Sequence, residues 1–433
     1  MAETATIFAL SSGPPPAAIA IIRVSGPGAA QAIRELTQRP PPQARRMSQR
    51  KLFDPVSAEM LDDALVVWLP GPKSVTGEDM VELHVHGSRA VVDGVLAALG
   101  GVDGLSPANH GAFTRQAFAN GRMDLSQIEG LADLIAAETA EQRRSALLMS
   151  EGALGRAVEN WRTALLLLAA RVEAALDFAD EDDVVAQPDL SALPALLCEA
   201  RTWLERPSAE RLRDGVRVVL AGPPNAGKST LLNALIGRNA AIISPQAGTT
   251  RDVIEAPVAI DGIPFVIIDT AGLHKHAANP IEQEGIARAR EHLERADLIL
   301  WLGSDAPPPA DCPCLRIAAK SDLVEVVPGN RLLPDSALLV SALTGAGMDV
   351  LREAILAEAR KLIPAPSTTA INARQRGLIG AFSEALSEAE AAADLLIVAE
   401  HLRTARLCLD RLVGRAGVED MLDALFGSLC IGK

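Results

Sequence analysis

The stretch Gly222-Pro-Pro-Asn-Ala-Gly-Lys-Ser229 decides how the middle of this chain folds. It fits G-x-x-x-x-G-K-[ST], a pattern whose glycines let backbone N–H groups turn inward around an anion at a helix N-terminus. The β-prone residues Val216, Val218, Val219 and Leu220 precede it. A helix-like run, Leu231-Leu-Asn-Ala-Leu-Ile236, follows and stops at Gly237. Strand, loop and helix in that order predict a phosphate cradle rather than an ordinary glycine-rich turn. Lys228 would then reach the β- and γ-phosphates, and the Ser229 hydroxyl would hold Mg²⁺.

The downstream sequence narrows the nucleotide. Phe265-Val-Ile-Ile268 reads as a buried strand ending in Asp269-Thr-Ala-Gly272, the D-x-x-G pattern of GTPases. There Asp269 sits near Mg²⁺, Thr270 and Ala271 follow, and the Gly272 N–H senses the γ-phosphate. Gly248-Thr-Thr-Arg-Asp252 suits a switch loop whose Thr250 completes the Mg²⁺ shell. Asp261-Gly262 predicts a hairpin turn between strands 253–260 and 263–268. A short strand at 315–319 runs into Lys320-Ser-Asp322, where GTPases carry N-K-x-D, and Asp322 is placed to accept the N1 and N2 hydrogens of guanine. Residues 337–340 lead into Ser341-Ala342-Leu343, similar to the last guanine-contacting loop. The GTP-binding set is completed by Asn225, Ala226, Gly227 and Thr230 of the phosphate loop and by Ser244, Pro245, Gln246, Ala247 and Thr249 of the switch loop. Ala319 stands where N-K-x-D has its Asn, so that contact to the guanine O6/N7 edge is missing. Asp322 is expected to keep guanine selectivity, because adenine would leave its carboxylate unpaired, while affinity suffers.

With 433 residues the chain has room for about three domains. Its 48% hydrophobic content fills full cores, and abundant alanine and leucine outside the GTPase segment favour helices. No apolar run approaches the ~18 residues that span a bilayer. Met1-Ala-Glu-Thr lacks the basic region of a signal peptide. Five cysteines without a paired framework fit a reducing cytoplasm, the expected location. Cys312-Pro-Cys314 offers too few ligands for a metal and reads as a loop; His84 and His86 alternate on one strand, with no third ligand apparent. A net charge of −14 argues against a broad direct footprint on nucleic acid. The local exception is Arg39, Arg45, Arg46, Arg50 and Lys51 beside Pro40–Pro42, read as a solvated loop with phosphate contact as the alternative.

The pattern along the chain divides into regions. Residues 1–117 alternate short strands (6–10, 18–24, 64–69, 80–85) with helices (29–36, 90–99), an α+β arrangement. Long helices are expected at 125–150, 155–176 and 190–206, then the α/β GTPase segment, then helices at 374–413 and 418–429. A GTPase between two helical stretches predicts an insertion into one discontinuous helical domain, with close ends. The expected boundaries are 1–117, 118–214, 215–365 and 366–433.

Quoted together, Thr6-Ile7, Ala20-Ile-Ile-Arg-Val-Ser-Gly26, Thr76-Gly-Glu-Asp79, Val81-Glu-Leu83, Gly111-Ala-Phe-Thr-Arg-Gln-Ala-Phe118, Gly121-Arg-Met-Asp-Leu125 and Cys430-Ile-Gly-Lys433 give the chain a wider resemblance. Along its entire length it resembles the MnmE (TrmE) family of tRNA-modification GTPases. The resemblance implies a multidomain α+β and α/β fold: an N-terminal domain that binds tetrahydrofolate and dimerises, a discontinuous helical domain, and an inserted Ras-like GTPase. It further implies K⁺ stimulation, a homodimer, and an MnmG-type flavoprotein partner that carries the FAD and most tRNA contact. Together they would add an aminomethyl or carboxymethylaminomethyl group at C5 of the wobble uridine, using 5-formyl- or methylene-tetrahydrofolate.

The resemblance also assigns residues. Arg23, Arg122 and Lys433 suit the anionic folate tail, and Glu82 would accept hydrogen bonds from the pterin-type ring; the family usually has Lys where Arg122 stands. Cys430, beside the Lys433 cation, is a candidate nucleophile or redox group, with packing of the last helical turn as the alternative. Leu273 follows D-x-x-G where Ras-like enzymes place a water-orienting Gln, so Glu282 is the expected general base, with Glu284 as the alternative. The K⁺ shell would combine the Asn225 side chain, the Ser244 and Gln246 carbonyls and Thr249. Two other classes remain open from sequence. One is an Era-like ribosome-assembly switch, disfavoured because no K-homology G-x-x-G module follows the GTPase; the other is a folate-binding scaffold whose GTPase only assembles the complex.

Overall fold

A computed structural model describes residues 5–177, 188–237, 241–242, 254–269, 291–303, 307, 312–323, 337–365, 368–416 and 419–432. It divides into two compact units, one formed by Met1–Ala132 with Asp410–Lys433 and the other by Asp133–Leu409.

In the first unit several strands alternate in burial because one sheet face is packed more extensively than the other. They are β1 (Thr6–Leu10), β2 (Ile19–Ser25), β3 (Met47–Phe53), β4 (Met60–Leu69), β5 (Met80–His86) and β6 (Leu105–Pro107), in sheet order β3-β4-β5-β2-β1-β6. Only β1 and β6 run parallel. Helices α1 (Ala29–Thr37) and α2 (Arg89–Gly100) cover one face; Ile33, Leu36, Val95 and Leu99 meet Ile22, Val24, Val66 and Leu83 there, all at most 1% exposed. On the other face α3 (Ala112–Ala119) sets Phe113 against Ala9. The C-terminal helix Glu419–Ser428 joins this unit: Phe118 and Phe426 meet edge to face at 6.5 Å, and Arg115 lies 4.7 Å over the Phe426 ring and pairs with Asp423 at 2.6 Å.

Strand β3 was not anticipated, because Met47-Ser-Gln-Arg-Lys-Leu-Phe53 carries charge rather than an alternating apolar face. As the outermost strand of the sheet it has little to bury, and Lys and Arg are what blunt an edge.

Three helical expectations are corrected. The run 125–150 is two helices, α4 (Leu125–Ala136) and α5 (Ala140–Ser150), because the Thr139 hydroxyl accepts from Gln142 N and the Gln142 side chain returns to Thr139 N. That reciprocal cap starts a new helix. Likewise 374–413 breaks into Ala373–Ala391 and Leu395–Val413, the first opened by an Asn372–Gln375 cap. The 190–206 run narrows to α7 (Leu193–Leu204), after α6 (Ala153–Asp177). Trp161 of α6 stacks on Phe382 at 5.5 Å and meets Trp203 of α7 edge to face at 6.3 Å. Its indole N–H donates to Glu199 at 2.6 Å.

The GTPase segment leaves and re-enters these helices at one place. Ala209 N donates to Ile371 O at 3.1 Å, and Arg376 donates to the carbonyls of Leu204 and, at 2.6 Å, Arg206. Between those points α8 (Glu210–Arg213) leads to β7 (Val216–Ala221), α9 (Lys228–Gly237), β8 (Ala241–Ile242), β9 (Ile254–Ile260), β10 (Ile263–Asp269), β11 (Leu298–Trp301), β12 (Cys314–Ala318), β13 (Leu338–Leu339) and α10 (Met348–Leu362). The sheet order is β13-β12-β11-β7-β10-β9-β8. Strands β7, β10, β11, β12 and β13 pair in parallel, and Val216, Val218, Leu220, Phe265, Ile267 and Leu300 turn one face of the sheet onto α9 and α10 in a shared core. The β9–β10 hairpin turns at Asp261 (φ 53°) and Gly262 (φ 79°), the left-handed pair a two-residue turn requires.

Candidate functional site

Open α/β sheets bind ligands at the carboxyl ends of their parallel strands. The phosphate loop leaves the end of β7, Asp269 closes β10, Ala319–Asp322 follow β12 and Ser341 follows β13. The fold therefore gathers motifs more than a hundred residues apart onto one edge.

The phosphate loop adopts backbone that explains its composition. Gly222 (φ 148°), Asn225 (φ 59°) and Gly227 (φ 98°) all have positive φ. Asn is among the few non-glycine residues that tolerate this, which is reason enough for Asn225 whatever its side chain binds. Lys228, 3% exposed, donates to Gly222 O at 2.8 Å and Pro223 O at 2.9 Å. Burial lowers its pKa, and the charge of Asp269 partly opposes this. Asp269 is fully buried, and Ser229 Oγ donates to its Oδ2 at 2.6 Å. A hydroxyl and a carboxylate so placed are the hard oxygen donors that fit Mg²⁺.

The base-recognition side is equally tied. Lys320, with φ 62°, reaches back so that its Nζ donates to Asn225 O at 2.9 Å. Ser341, fully buried, donates its hydroxyl to Asp322 Oδ1 at 2.6 Å and accepts from Thr344 N at 3.1 Å. Ser341 thus orients the Asp322 carboxylate, a role the sequence signalled only through its position after β13. Ala342 is half-buried and Leu343 is 81% exposed. Ala319 is half-buried and lies beside Gly227, with no polar side chain where N-K-x-D has one. Restoring that group by Ala319→Asn should tighten GTP binding about fivefold, the worth of one net hydrogen bond, as read by nucleotide titration. No tightening would mean that the loop is already saturated. Ser244, Pro245, Gln246, Ala247, Gly248, Thr249, Thr250, Thr270, Ala271, Gly272 and Glu282 lie outside the described residues.

In the first unit, β2 and β5 are in register at Arg23 and Glu82. Arg23 donates from Nη2 at 2.8 Å and from Nε at 3.3 Å to Glu82 Oε1, and its guanidinium lies 5.7 Å over Phe113. His84 Nε2 sits 3.3 Å from Glu82 Oε2. Burial raises the Glu82 pKa, but the hydrogen bonds and charges of Arg23 and His84 outweigh it and leave the carboxyl below its ordinary value. The two expected ligand residues therefore hold each other. His86 bonds Asp62 at 2.7 Å, so the two histidines diverge to separate carboxylates; among the described residues no metal-binding group of three is present.

The Thr76–Asp79 loop closes over the end of β2. Thr76 and Ser25 hydroxyls lie 2.7 Å apart, and Asn120, a residue not anticipated, donates to Thr76 O and Glu78 Oε1, both at 2.9 Å. Arg122 is exposed and passes beside Gly77. The tail docks nearby: Ser11 Oγ donates to Gly432 O at 2.9 Å, and His110 Nδ1 donates to Leu429 O at 2.8 Å. Gly432 has φ 94°, and a Cβ there would stand 2.2 Å from Leu10 O, so only glycine fits. Leu429 is buried and Cys430 is exposed; Lys433 lies outside the described residues.

Comparison with known proteins matches both ends of this description. Residues 6–122 fit the model of the GTP-binding protein TrmE N-terminus, and residues 125–430 fit that of the MnmE helical domain. The tRNA modification GTPase MnmE of Novosphingobium aromaticivorans is 53% identical over 99% of this chain and 100% of its own length. Its counterpart in Rhizorhabdus wittichii is 55% identical over 99% of this chain and 96% of its own length. A solved structure of Aquifex aeolicus Era is 26% identical, covers 41% of this chain and 68% of its own, and has a TM-score of 0.26, too low to carry a structural argument. No helix among the described residues is long and apolar enough to cross a membrane. With a phosphate loop, buried Mg²⁺-type donors, a guanine-loop carboxylate and full-length likeness to its relatives, the chain belongs to the MnmE family and is a GTP hydrolase that takes part in tRNA modification.

Proposed function

We propose that the chain is a potassium-stimulated GTPase that works as a homodimer with an MnmG-type flavoprotein, which brings FAD. Together they would add an aminomethyl or carboxymethylaminomethyl group to C5 of the wobble uridine in certain tRNAs, drawing one carbon from a tetrahydrofolate derivative. What supports the folate arm most is the gathering of Arg23, Glu82 and the Cys430–Gly432 tail into one compact unit. Glu82 engages the Nε and Nη2 side of Arg23, which fixes the guanidinium plane and leaves Nη1 to meet an anionic ligand. Exposed Cys430 would stand at the same domain with its thiol accessible. On the GTPase side, Ser229 and Asp269 would hold Mg²⁺, which neutralises phosphate charge when bound. Lys228 would exchange its loop carbonyls for phosphate oxygens, and Asn225 would supply a side-chain oxygen to K⁺.

Calorimetry with 5-formyl-tetrahydrofolate tests the folate site. Arg23→Ala should weaken binding about 10- to 100-fold, the loss of one charged hydrogen bond, and unchanged affinity would sink the assignment. The same variant carries a pH signature. Because the folded Glu82 pKa is depressed, its stabilisation is present above the ordinary value of 4.5 and is lost as pH falls through the folded value. Arg23→Ala should therefore lower stability at neutral pH and shrink the acid-side decline in Tm.

A further inference from the structure

The cations of the α1–β3 connection and of β3 differ from those elsewhere in how they are partnered. Across the molecule arginines commonly pair with carboxylates, as Arg23 with Glu82, Arg115 with Asp423 and Arg211 with Asp297. Among the described residues none of Arg39, Arg45, Arg46, Arg50, Lys51 or Lys73 makes an ion pair. Of the nearby carboxylates, Asp54 is engaged by Ser57, Asp62 by His86 and Asp63 by Gln49, while Glu35 and Glu59 are exposed and form no ion pair with these cations among the described residues.

The segment that carries these cations is held in place. Arg45 N donates to Trp68 O at 2.8 Å, Arg45 Nη2 donates to Lys73 O at 2.6 Å, and Thr37 Oγ1 donates to Arg39 O at 3.2 Å. Arg39, Arg46 and Lys51 are exposed, whereas Arg50 is half-buried and its Nε, shielded from water, has no acceptor among the described residues. A buried donor without an acceptor is costly unless something else satisfies it. Because β3 is the outermost strand, its far edge is unpaired in the sheet. The run from Met47 to Lys51 covers about 13 Å of strand, enough to face more than one phosphate.

We propose that this edge, presented by Arg39, Arg46, Arg50 and Lys51, is a docking surface of the chain itself for the phosphate backbone of tRNA. The proposal rests on the chain's part in tRNA modification. A protein of net charge −14 repels a polyanion over most of its surface, so a fixed edge of uncompensated cations is where contact is favourable. Phosphate contacts of this kind position a nucleic acid without reading its sequence.

The test is tRNA binding by the full-length chain across a salt series, with wild type and the triple variant Arg39→Ala/Arg46→Ala/Lys51→Ala, none of which touches the GTP or folate residues. The variant should bind about tenfold or more weakly near 100 mM salt, and its plot of log K against log salt should be shallower by about 2. Its basal GTP hydrolysis and Tm should match wild type. Arg50→Lys, which keeps charge but loses the buried Nε, serves as a second variant and should weaken binding with little change in slope. Equal affinity and slope in the triple variant, or no tRNA binding by wild type, would overturn the proposal. So would a variant that keeps tRNA binding but loses the flavoprotein, which would make the edge a protein interface. Reconstituted modification by wild type is the separate check on the tRNA role; if it succeeds while the triple variant binds normally, only this surface is wrong.

Discussion

Replacing Asp269 by asparagine should lower kcat for GTP hydrolysis about 10- to 100-fold and raise the Mg²⁺ concentration needed for half-maximal rate. Asn keeps the shape of the side chain and removes its charge. The carboxylate is fully buried at the end of β10 and holds the Ser229 hydroxyl at 2.6 Å. A partner that orients a metal-binding group typically matters by that factor. The charge of Asp269 also raises the pKa of Lys228 against the effect of burial, so its loss leaves that burial unopposed. A Mg²⁺ titration at saturating GTP, with Tm measured on the same sample, separates this from unfolding. A variant with wild-type rate and Mg²⁺ dependence would show that Asp269 serves the fold alone.

The second large effect is expected at Glu282, which is read from sequence and from the family resemblance. Ras-like enzymes use a Gln after D-x-x-G to orient water and an arginine finger to neutralise charge. Leu273 can do neither, so another group must take the proton, through a bridging water. Glu282→Ala should lower kcat by about 10²-fold or more with little change in GTP affinity, the signature of a group that acts only in the transition state. A fixed monovalent cation at Asn225 would replace the arginine, so hydrolysis should run much faster in potassium than in sodium. Equal rates in the two salts, or a fully active Glu282→Ala, would rule this mechanism out.

Which parts were legible in the sequence follows from how locally each is encoded. The phosphate loop, the Asp261–Gly262 turn and β1 at Thr6–Leu10 depend on residue type at fixed spacing, and each lies where its residues predict. Helix breaks were harder, because 125–150 keeps its apolar period across Thr139 and only the side-chain cap reveals the new start. Strand β3 escaped notice because an edge strand needs no apolar face. Residue type suggests Arg23 and Glu82 as two ligand residues, yet their contact with each other depends on strand register between residues 59 apart. Docking of the tail on Leu10 and Ser11 was hidden for the same reason: the chain must close a separation of 421 residues before Gly432 meets Ser11.

Modification of tRNA in a reconstituted mixture tests the central claim most directly, namely that hydrolysis at the Lys228–Ser229–Asp269 site drives the uridine chemistry. The mixture would hold the full-length chain, an MnmG-type flavoprotein, a tetrahydrofolate one-carbon donor and unmodified tRNA, in potassium. Nucleoside analysis should find the C5-modified uridine with GTP, and little or none with a non-hydrolysable GTP analogue or with the Asp269→Asn chain. Equal yields in all three would contradict the account and leave the GTPase as an assembly device alone.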